Sequence, residues 1–355
     1  MGYRAARIGG SSRWTSRSRR RAGASFVLLL LIIGLDLWLA GCGGGPPAAA
    51  RAHATLPARW VRFLHVPGVV DLTGPRGDGQ LMVAAAGRLF LLSTSGRPAP
   101  FARGSGGYTT ALGNEPYIAM PAGRPVTGLG CSFGKDATYA LEPNGSPGVI
   151  SIDKQGQARR FASLPGVRPD GIAFDDVGRF GYRLLVTATA RGGTTVFGVD
   201  CAGRVTTIAS HAPRVEGGIA VAPLSFGSFG GDLVAPDETT GRVWAIGPGG
   251  TTRLIARSPL PAGGDIGVES AAFVPAGFSR AWAAYVADRR SPGNRHPGTN
   301  SILRLPGAEL TRAGIHAGEL IVASEGGAQT IVIDCSATTD SRRRGSRRVR
   351  ISTRP

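Results

Sequence analysis

The sequence Pro169-Asp170-Gly171-Ile172-Ala173-Phe174 opens a unit of four short apolar segments. The other three segments follow at residues 184–186, 195–199 and 205–209, and Gly and Asp residues lie in the turns between them. Short strands with regularly spaced turn signals are typical of an antiparallel sheet that forms one blade of a β-propeller. The stretch therefore predicts an all-β chain.

The same unit is repeated along the chain. A second copy, about 47 residues later, has its segments at 215–221, 232–234, 242–246 and 253–256. A third copy has segments at 268–273, 285–287 and 301–305, which we expect to form one blade. Two looser copies precede Pro169, from Asp71 to Phe101 and from Glu115 to Phe161. Self-similarity at a fixed period is the sequence signature of a repeat architecture such as a propeller.

The two ends of the repeat region indicate how the ring closes. Residues 161–167 read FASLPGV and residues 63–69 read FLHVPGV, so the N-terminal segment corresponds to the outer strand of a blade. The segments at 318–322 and 329–334 have no obvious outer strand, and we expect the N-terminal strand to complete their blade. This closure predicts six four-stranded blades, because a closed ring leaves no unpaired edge. No innermost strand of the sixth blade is visible in 308–317, so a five-bladed ring with a helical plug and a β-sandwich are the alternatives.

From residue 59 to residue 334 the chain resembles six-bladed propellers of the NHL, strictosidine-synthase and SMP-30/gluconolactonase type. The resemblance rests on the blade period and on the Pro-Asp-Gly-Ile-Ala-Phe sequence at Pro169. For the lactonase-like members of this group it implies a central calcium or similar ion that acidic residues hold. The fold itself does not select one activity.

Acidic residues recur at two positions of the predicted blades. Asp71, Glu115, Asp170, Glu216 and Glu269 stand at the starts of inner strands, and Asp237, Glu238, Asp288 and Glu325 stand at the ends of second strands. In a propeller both positions face the same mouth of the channel, so these carboxylates are expected to gather there and repel one another.

A hard divalent cation relieves such repulsion, and Ca²⁺ takes roughly six to eight oxygen ligands. We therefore predict a site for Ca²⁺ or another divalent cation at the mouth. Its candidate ligands are Asp170, Glu216, Glu269, Asp237, Asp288 and Glu325. The alternative is that these acids cap strand ends or pair with Arg214, Arg289 and Arg290.

His296 is the one candidate for a catalytic base. It lies in a Pro- and Gly-rich insertion, residues 289–298, that leaves the predicted mouth. A neutral imidazole there could activate water against a lactone or ester; a solvated surface histidine is the alternative. The sequence contains no Gly-x-Ser-x-Gly, phosphate-loop, His-Glu-x-x-His or Cys-x-x-Cys motif.

Three cysteines follow residue 42, at 131, 201 and 335. Cys201 and Cys335 both follow third strands of blades on opposite sides of the predicted ring, too far apart for a disulfide. Cys131 belongs to the blade beside that of Cys201. If a pair forms, we expect Cys131 with Cys201; three buried thiols are the alternative.

The N-terminal region is typical of a bacterial lipoprotein signal. Seven arginines precede Cys42, an apolar run covers residues 26–40, and the box Leu39-Ala40-Gly41-Cys42 closes it. The run is short for about 30 Å of hydrocarbon and contains Asp36, as expected of a removable signal rather than a membrane span. The Cys42 thiol is then the site of lipid attachment. A plain signal anchor with an incidental cysteine is the alternative.

These observations divide the chain into four parts. We expect a signal peptide at 1–41, a lipid-anchored tether at 42–58, the propeller at 59–340 and a basic disordered tail at 341–355. The expected location is the extracytoplasmic face of the bacterial cell membrane, where acyl chains such as palmitate on Cys42 contact the bilayer.

The formal net charge of +18 is concentrated at the two ends of the chain. Seven arginines precede Cys42 and seven follow Asp340, so the predicted propeller is only mildly basic. A clustered basic face is the electrostatic footprint of a nucleic-acid-binding domain. We therefore expect no specific nucleic-acid partner.

The sequence predicts an exported module that binds an extracytoplasmic ligand or protein partner at the acidic mouth of its channel. The alternative, implied by the resemblance, is a metal-dependent lactonase or esterase. A hydrolase requires a metal or base beside a water molecule, whereas a binding module requires only a complementary surface.

Replacing Cys42 by Ser tests the lipoprotein interpretation. The variant should be released from membranes or accumulate as an unprocessed precursor, because serine offers no thiol for the lipid. Membrane fractionation and mass spectrometry of the mature N-terminus measure this. An unmodified mature N-terminus elsewhere in the wild-type chain would exclude lipidation at Cys42.

Overall fold

Short antiparallel strands account for almost all the regular structure in a computed structural model of the protein. The structure describes residues 59–111, 113–291, 293–294, 297–335 and 349–351. The predicted signal peptide, the tether, Cys42 and His296 lie outside these residues. No helix within the described ranges is long and apolar enough to cross a membrane.

The N-terminal strand β1 (Val61–His65) is followed by three blades that are each continuous in sequence. Blade 1 contains β2 (Val69–Thr73), β3 (Leu81–Ala85), β4 (Arg88–Leu92) and β5 (Pro98–Phe101). Blade 2 contains β6 (Ile118–Ala119), β7 (Thr138–Glu142), β8 (Gly148–Ile152) and β9 (Ala158–Ser163). Blade 3 contains β10 (Pro169–Phe174), β11 (Leu184–Ala190), β12 (Gly193–Val199) and β13 (Val205–Ala212).

Three further blades complete the ring. Blade 4 contains β14 (Ala220–Val221), β15 (Leu233–Asp237), β16 (Arg242–Ile246) and β17 (Thr252–Arg257). Blade 5 contains β18 (Val268–Phe273), β21 (Leu320–Ser324), β22 (Thr330–Ile333) and β23 (Val349–Ile351). Blade 6 contains β19 (Ala283–Asp288), β20 (Ser301–Pro306) and β1, and the helix α1 (Gly307–Arg312) follows β20.

The first strands of blades 1 to 5 are neighbours in order, since β2 contacts β6, β6 contacts β10, β10 contacts β14 and β14 contacts β18, while β19 of blade 6 contacts β2 of blade 1. Large side chains fill the space between neighbouring blades, as at the blade 2 and blade 3 interface. There the rings of Phe133 and Phe174 meet edge to face with centroids 4.8 Å apart, and Tyr139 packs against both. Such contacts arise because both faces of a blade are covered, so its strands are apolar on both sides.

The prediction of a six-bladed propeller closed by its N-terminal strand is confirmed. β1 pairs with β20, with Val61 opposite Arg304 and His65 opposite Ser301. Just before β1, the buried Trp60 donates a hydrogen bond from its indole Nε1 to Thr330 Oγ1 of blade 5, at 3.0 Å. The start of the described chain therefore ties the last two blades together.

The expected partners of the N-terminal strand were wrong, because blades 5 and 6 are interleaved in sequence. The segments at 318–322 and 329–334 contribute β21 and β22 of blade 5, where β21 pairs with β18. The third repeat copy is likewise not one blade, since its second and third segments form β19 and β20 of blade 6. Sequence-adjacent strands pair by default. Here residues 274–282 and α1 replace tight turns and carry the chain between the blades.

Two further features concern the predictions made for the C-terminal tail and for the cysteines. Val349–Ile351, within the segment predicted as a disordered tail, forms β23 and pairs with β22. Val349 and Ile351 are β-branched residues, which favour a strand, but the arginines around them make the segment resemble a charged tail in the sequence. A disulfide joins Cys131 of blade 2 to Cys201 of blade 3, with a Cα–Cα distance of 6.0 Å.

Trp60→Ala tests how far the stability of the closed ring depends on the residue that ties blades 5 and 6 together. Truncation removes buried aromatic surface and leaves Thr330 without its indole donor, so the free energy of unfolding should fall by about 3–5 kcal/mol. Val61→Ala is the matched control. Val61 is 51% exposed, so its truncation should cost less than about 0.5 kcal/mol. Equal losses in chemical denaturation would contradict this account of closure.

Candidate functional site

Three glutamates from blades 4 and 5 meet at one mouth of the channel. Glu269 lies near the start of β18, while Glu238 and Glu325 follow the ends of β15 and β21. The first strands of the two blades are held together here, since the Gly218 amide donates to the Glu269 carbonyl at 2.8 Å. Gly217 adopts a φ of +83°, and a Cβ at this position would lie 2.3 Å from Glu269 Cγ. A glycine is therefore required for Glu269 to occupy its place.

Carboxylate oxygens of Glu238, Glu269 and Glu325 all lie within 4.8 Å of one another. The three residues are buried, with 6%, 8% and 6% of their surfaces exposed. We call this group the glutamate triad. Among the described residues, it is the one cluster of acidic, histidine or cysteine side chains close enough to hold a metal ion together.

Three side chains contact the triad from other parts of the ring. The Tyr117 hydroxyl of blade 2 donates to Glu269 Oε1, and Ser291 Oγ donates to Glu325 Oε1 at 2.6 Å. Arg289 Nη1 lies 3.2 Å from Glu325 Oε1 and also pairs with Glu115 Oε1. The segment that follows β19 therefore covers blade 5 and reaches across the mouth to blade 2.

Burial makes ionisation of the triad unfavourable, because a charged carboxylate loses its hydration there. Burial, followed by the negative charges of Glu216 and Glu325, raises the pKa of Glu238 to about 7. Burial and the nearby Glu325 raise the pKa of Glu269 well above its usual range, although the Tyr117 hydrogen bond opposes this. Burial also raises the pKa of Glu325 against the opposing effects of Ser291 and Arg289.

The triad fits a hard divalent cation in ligand type and in size. Carboxylate oxygens are the ligands that Ca²⁺ and Mg²⁺ take in proteins, whereas zinc sites favour nitrogen and sulfur. With calcium–oxygen distances of about 2.3–2.6 Å, two ligands on opposite sides of the ion lie up to roughly 5 Å apart. The 4.8 Å limit within the triad is compatible with that span.

The structure brings two of the six predicted metal ligands, Glu269 and Glu325, into the triad. Asp237 instead accepts hydrogen bonds from the amide and hydroxyl of Thr240 in the turn after β15. Asp288 accepts from the amide and hydroxyl of Thr299, at 2.8 and 2.6 Å, in the connection between β19 and β20. These two aspartates stabilise their own loops.

The remaining two predicted ligands lie beside the triad rather than in it. Asp170 accepts hydrogen bonds from Thr187 Oγ1 and from the Thr189 amide, both at 2.8 Å, and burial raises its pKa to about 6. Glu216 pairs with Arg214 at 3.0 Å. Both acids line the cavity described below.

The predicted metal ligands include Asp237, whereas the residue that enters the triad is its neighbour Glu238, at the same strand end. Because adjacent residues of an extended chain point in opposite directions, only one of the two can face the channel. Thr240, three residues after Asp237, is the sequence signal that Asp237 belongs to a turn rather than to the channel mouth, since Asp and a nearby hydroxyl are common in turns. Tyr117 carried no such signal, because its contact with Glu269 joins residues distant in sequence. Arg289 is one of the arginines that the sequence offers as partners of these acids, and it pairs with Glu325.

A polar cavity of about 300 Å³ opens next to the triad. Blades 2, 3 and 4 line it, with Glu115, Tyr117, Asp170 and Glu216 on its walls. Tyr117 is shared between the cavity wall and the triad, and Glu115 is shared between the cavity and Arg289. A molecule in this cavity would therefore lie beside the carboxylates and any cation that they hold.

Comparisons with known proteins give similarities to solved structures only. No protein-family model and no curated protein sequence matches it. Among solved structures it is similar to regucalcin, a calcium-binding protein from Agrobacterium tumefaciens strain C58, with 13% identity and a TM-score of 0.46 over 80% of this chain and 78% of that one.

Two further similarities are of the same order. A gluconolactonase from Xanthomonas campestris shares 16% identity with a TM-score of 0.42, over 66% of this chain and 71% of that one. A catalytically inactive virginiamycin B lyase from Staphylococcus aureus, crystallised with quinupristin, shares 12% identity with a TM-score of 0.40, over 67% and 66% of the two chains. The strand pairing defines the chain as a six-bladed β-propeller, and the solved structures to which it is similar include proteins of the gluconolactonase, regucalcin and streptogramin B lyase types.

The raised pKa values of the triad predict how stability depends on pH in the presence of a chelator. The folded triad retains protons that the unfolded chain releases above about pH 4.5, so the free energy of unfolding should fall between about pH 4.5 and 7. Glu238→Gln should reduce this fall by an amount of the order of 2 kcal/mol. Glu309→Gln on α1, which removes one carboxylate outside the triad, is the control. Identical slopes for both variants, from denaturation at several pH values, would contradict the prediction.

Proposed function

We propose that this propeller is a ligand-binding module whose channel mouth holds a divalent cation through Glu238, Glu269 and Glu325, with Ca²⁺ as the first candidate. The observation that carries the proposal is the convergence of three buried carboxylates within 4.8 Å. Three such groups can stay together in one of three ways. They are protonated, they are paired with a cationic side chain, or they hold a cation.

The local charge balance supports a bound cation. The triad and Glu115 bring four carboxylates to this region, whereas Arg289, which pairs with Glu115 and Glu325, brings a single guanidinium. Full ionisation therefore leaves three negative charges without a partner among these groups. Charge–charge repulsion is strong where water is excluded, and a divalent ion compensates two of those charges while it accepts the carboxylate oxygens as ligands.

Calcium is the first candidate because its coordination is the most tolerant. Ca²⁺ accepts irregular sets of about six to eight oxygens, including water, whereas Mg²⁺ demands a near-ideal octahedron at about 2.0–2.1 Å. Three glutamates drawn from two blades and held by Tyr117, Ser291 and Arg289 form an irregular set. A cation held by three side chains also has room for oxygen atoms of a ligand.

Metal-dependent hydrolysis of a lactone or ester is the second candidate function. The observation that favours it is that Tyr117 belongs both to the cavity wall and to the contacts of the triad, because such hydrolysis requires the ligand and the metal side by side. A titrimetric assay of lactone hydrolysis, with calcium and with chelator, distinguishes the two functions. Hydrolysis that Glu269→Gln abolishes indicates the enzyme, and its absence with intact calcium binding indicates the module.

The location belongs to the same proposal. The box Leu39-Ala40-Gly41-Cys42 and the apolar run before it support export and lipid attachment at Cys42. The small residues of the predicted tether would then hold the propeller near the outer surface of the cell membrane, with its channel mouth available to an extracytoplasmic ligand or protein.

A calcium-dependent shift in stability tests the cation site. A ligand that binds only the folded state stabilises it by RT ln(1 + [L]/Kd), so calcium at about thirty times its Kd should add about 2 kcal/mol to the free energy of unfolding. Chelation should reverse the gain. Glu269→Gln should abolish the calcium response and leave the protein folded, because the amide oxygen can still accept from Tyr117.

Asp237→Asn is the matched control for the same experiment. It removes a neighbouring carboxylate that contacts Thr240 and lies outside the triad, so the calcium response should persist. Isothermal titration calorimetry measures the binding directly. If the wild-type protein responds neither to calcium or magnesium nor to chelator, protons and Arg289 compensate the triad and the cation proposal is wrong.

A further inference from the structure

Large exposed hydrophobic side chains lie on the face of the ring opposite the channel mouth, which we call the far face. The triad marks the mouth, so β18 ends and β21 begins on the far face. By the same rule, the connection from the first to the second strand of a contiguous blade lies there, which includes residues 120–137 and 222–232. Four large hydrophobic residues are exposed among the described ones, and all lie on this face: Val61, Leu129, Leu224 and Trp282.

Two of these residues, Val61 and Trp282, share one end of blade 6. Because β20 lies between β1 and β19, the start of β1 and the residue before β19 lie at the same end of one sheet. Arg289, which follows the other end of β19, contacts Glu325 at the mouth, so this end lies on the far face. Val61 is 51% exposed and Trp282 is 47% exposed.

The backbone around Trp282 holds this side chain in its exposed position. Its amide donates to the Ser279 carbonyl at 3.1 Å, and its carbonyl accepts from the Gly307 amide at 2.6 Å. In the same segment, Phe278 packs against the apolar cluster that contains the buried Trp60. Both exposed residues therefore lie on segments that a buried aromatic ring anchors to the propeller.

The residues next to these two hydrophobic side chains are basic. Three arginines are exposed there and form no ion pair with any described residue: Arg59, Arg62 and Arg280. Glu309 of α1, which follows β20 at this end, is already paired with Arg312. We call the two hydrophobic residues and the three arginines the far-face patch.

We propose that the far-face patch lies on the surface of an anionic phospholipid bilayer, with Trp282 at the level of the headgroups and the arginines against lipid phosphates. The amphipathic ring of tryptophan favours the membrane–water interface. The negative surface potential of anionic lipids attracts basic side chains. The proposal rests on the membrane location proposed above and adds an orientation, with the far face toward the bilayer and the channel mouth away from it.

The route of the chain supports a membrane as the occupant of the patch. Only the predicted tether, residues 42–57 after the cysteine and residue 58, separates Cys42 from Arg59. A random chain of that length spans about 20–25 Å. Because β1 begins on the far face, the chain enters the propeller beside the patch, and a lipid on Cys42 would hold the patch within reach of the headgroups. Weak intrinsic affinity then suffices, because the tether makes docking intramolecular.

Quenching of tryptophan fluorescence by acyl-brominated lipids tests the docking, with the full chain reconstituted into vesicles of phosphatidylglycerol and phosphatidylcholine. We expect the wild-type protein to lose more fluorescence intensity than Trp282→Phe, because bromine atoms near the headgroups reach the Trp282 ring. Trp244→Phe is the matched control. It removes a tryptophan from the middle of β16, so the quenched intensity should be retained. In vesicles of phosphatidylcholine alone, the contribution of Trp282 to the quenching should be lost.

Two triple variants test the arginines in the same vesicles. Each arginine near an anionic surface strengthens association about fivefold, so the loss of three should weaken docking roughly a hundredfold and abolish the quenching of Trp282. The test variant combines Arg59→Gln, Arg62→Gln and Arg280→Gln. The control removes the same charge from exposed positions at the mouth end of their strands and should be quenched like the wild-type protein; it combines Arg88→Gln, Arg257→Gln and Arg290→Gln.

The outcomes separate this inference from the proposed location. If the chain floats with the vesicles but Trp282 is not quenched, or if both triple variants lose quenching equally, the inference fails and membrane attachment stands. If Trp282 is quenched while mass spectrometry finds no lipid on Cys42, the docking surface stands and the lipidation proposal fails. A chain that does not associate with vesicles at all contradicts both. If Trp282→Phe alters self-association of the chain instead of quenching, the patch binds a second copy and the inference is overturned.

Discussion

The pairing of β1 with β20 is the constraint on which the rest of the molecule depends. A propeller blade gains its stability mainly from the blades on either side, so a gap in the ring would expose two faces at once. Trp60 strengthens this junction. Its side chain belongs to one apolar cluster with residues of α1 and blade 6, and its Nε1 donates a hydrogen bond to Thr330 of blade 5. The mouth of the channel is rigid only because the ring is closed.

Closure allows the mouth to hold groups that would otherwise separate. Buried carboxylates repel one another, and an open arc of blades could relieve that repulsion by spreading. The backbone hydrogen bonds of Gly218 hold Glu269 between blades 4 and 5. Gly217 leaves room for the Glu269 side chain because it has no Cβ. The folding energy of the ring thus sustains a concentration of buried negative charge, a common arrangement in functional sites.

Much of this architecture could be predicted from the sequence because blades are local structures. The Pro169 unit and its copies define blades 3 and 4 directly, and the likeness of 63–69 to 161–167 indicated an outer strand at the N-terminus. The pairing of β18 with β21 could not be found in this way. Alternation of apolar residues shows that a segment is a strand, and it does not show which distant strand is its partner.

The candidate site was predictable to the extent that topology decides it. The rule that first-strand starts and second-strand ends share one mouth brought Glu269 and Glu325 into the same prediction, and both lie in the triad. The choice between Asp237 and Glu238 depends on a local turn, and the contact of Tyr117 with Glu269 joins residues 152 positions apart. Such details require the assembled ring, since they depend on distances between blades.

The interleaving of blades 5 and 6 has a consequence for the order in which the molecule assembles during synthesis. Blades 1 to 4 are contiguous and can form as their strands appear, but β1 has no partner until β20 is made. Blade 5 likewise remains incomplete until β21, β22 and β23 have been synthesised. Pairings of such long sequence separation form slowly, and unpaired strand edges invite aggregation. The nascent chain would therefore remain an open arc until β20 and β21 have been synthesised, and its exposed strand edges would need protection during that time.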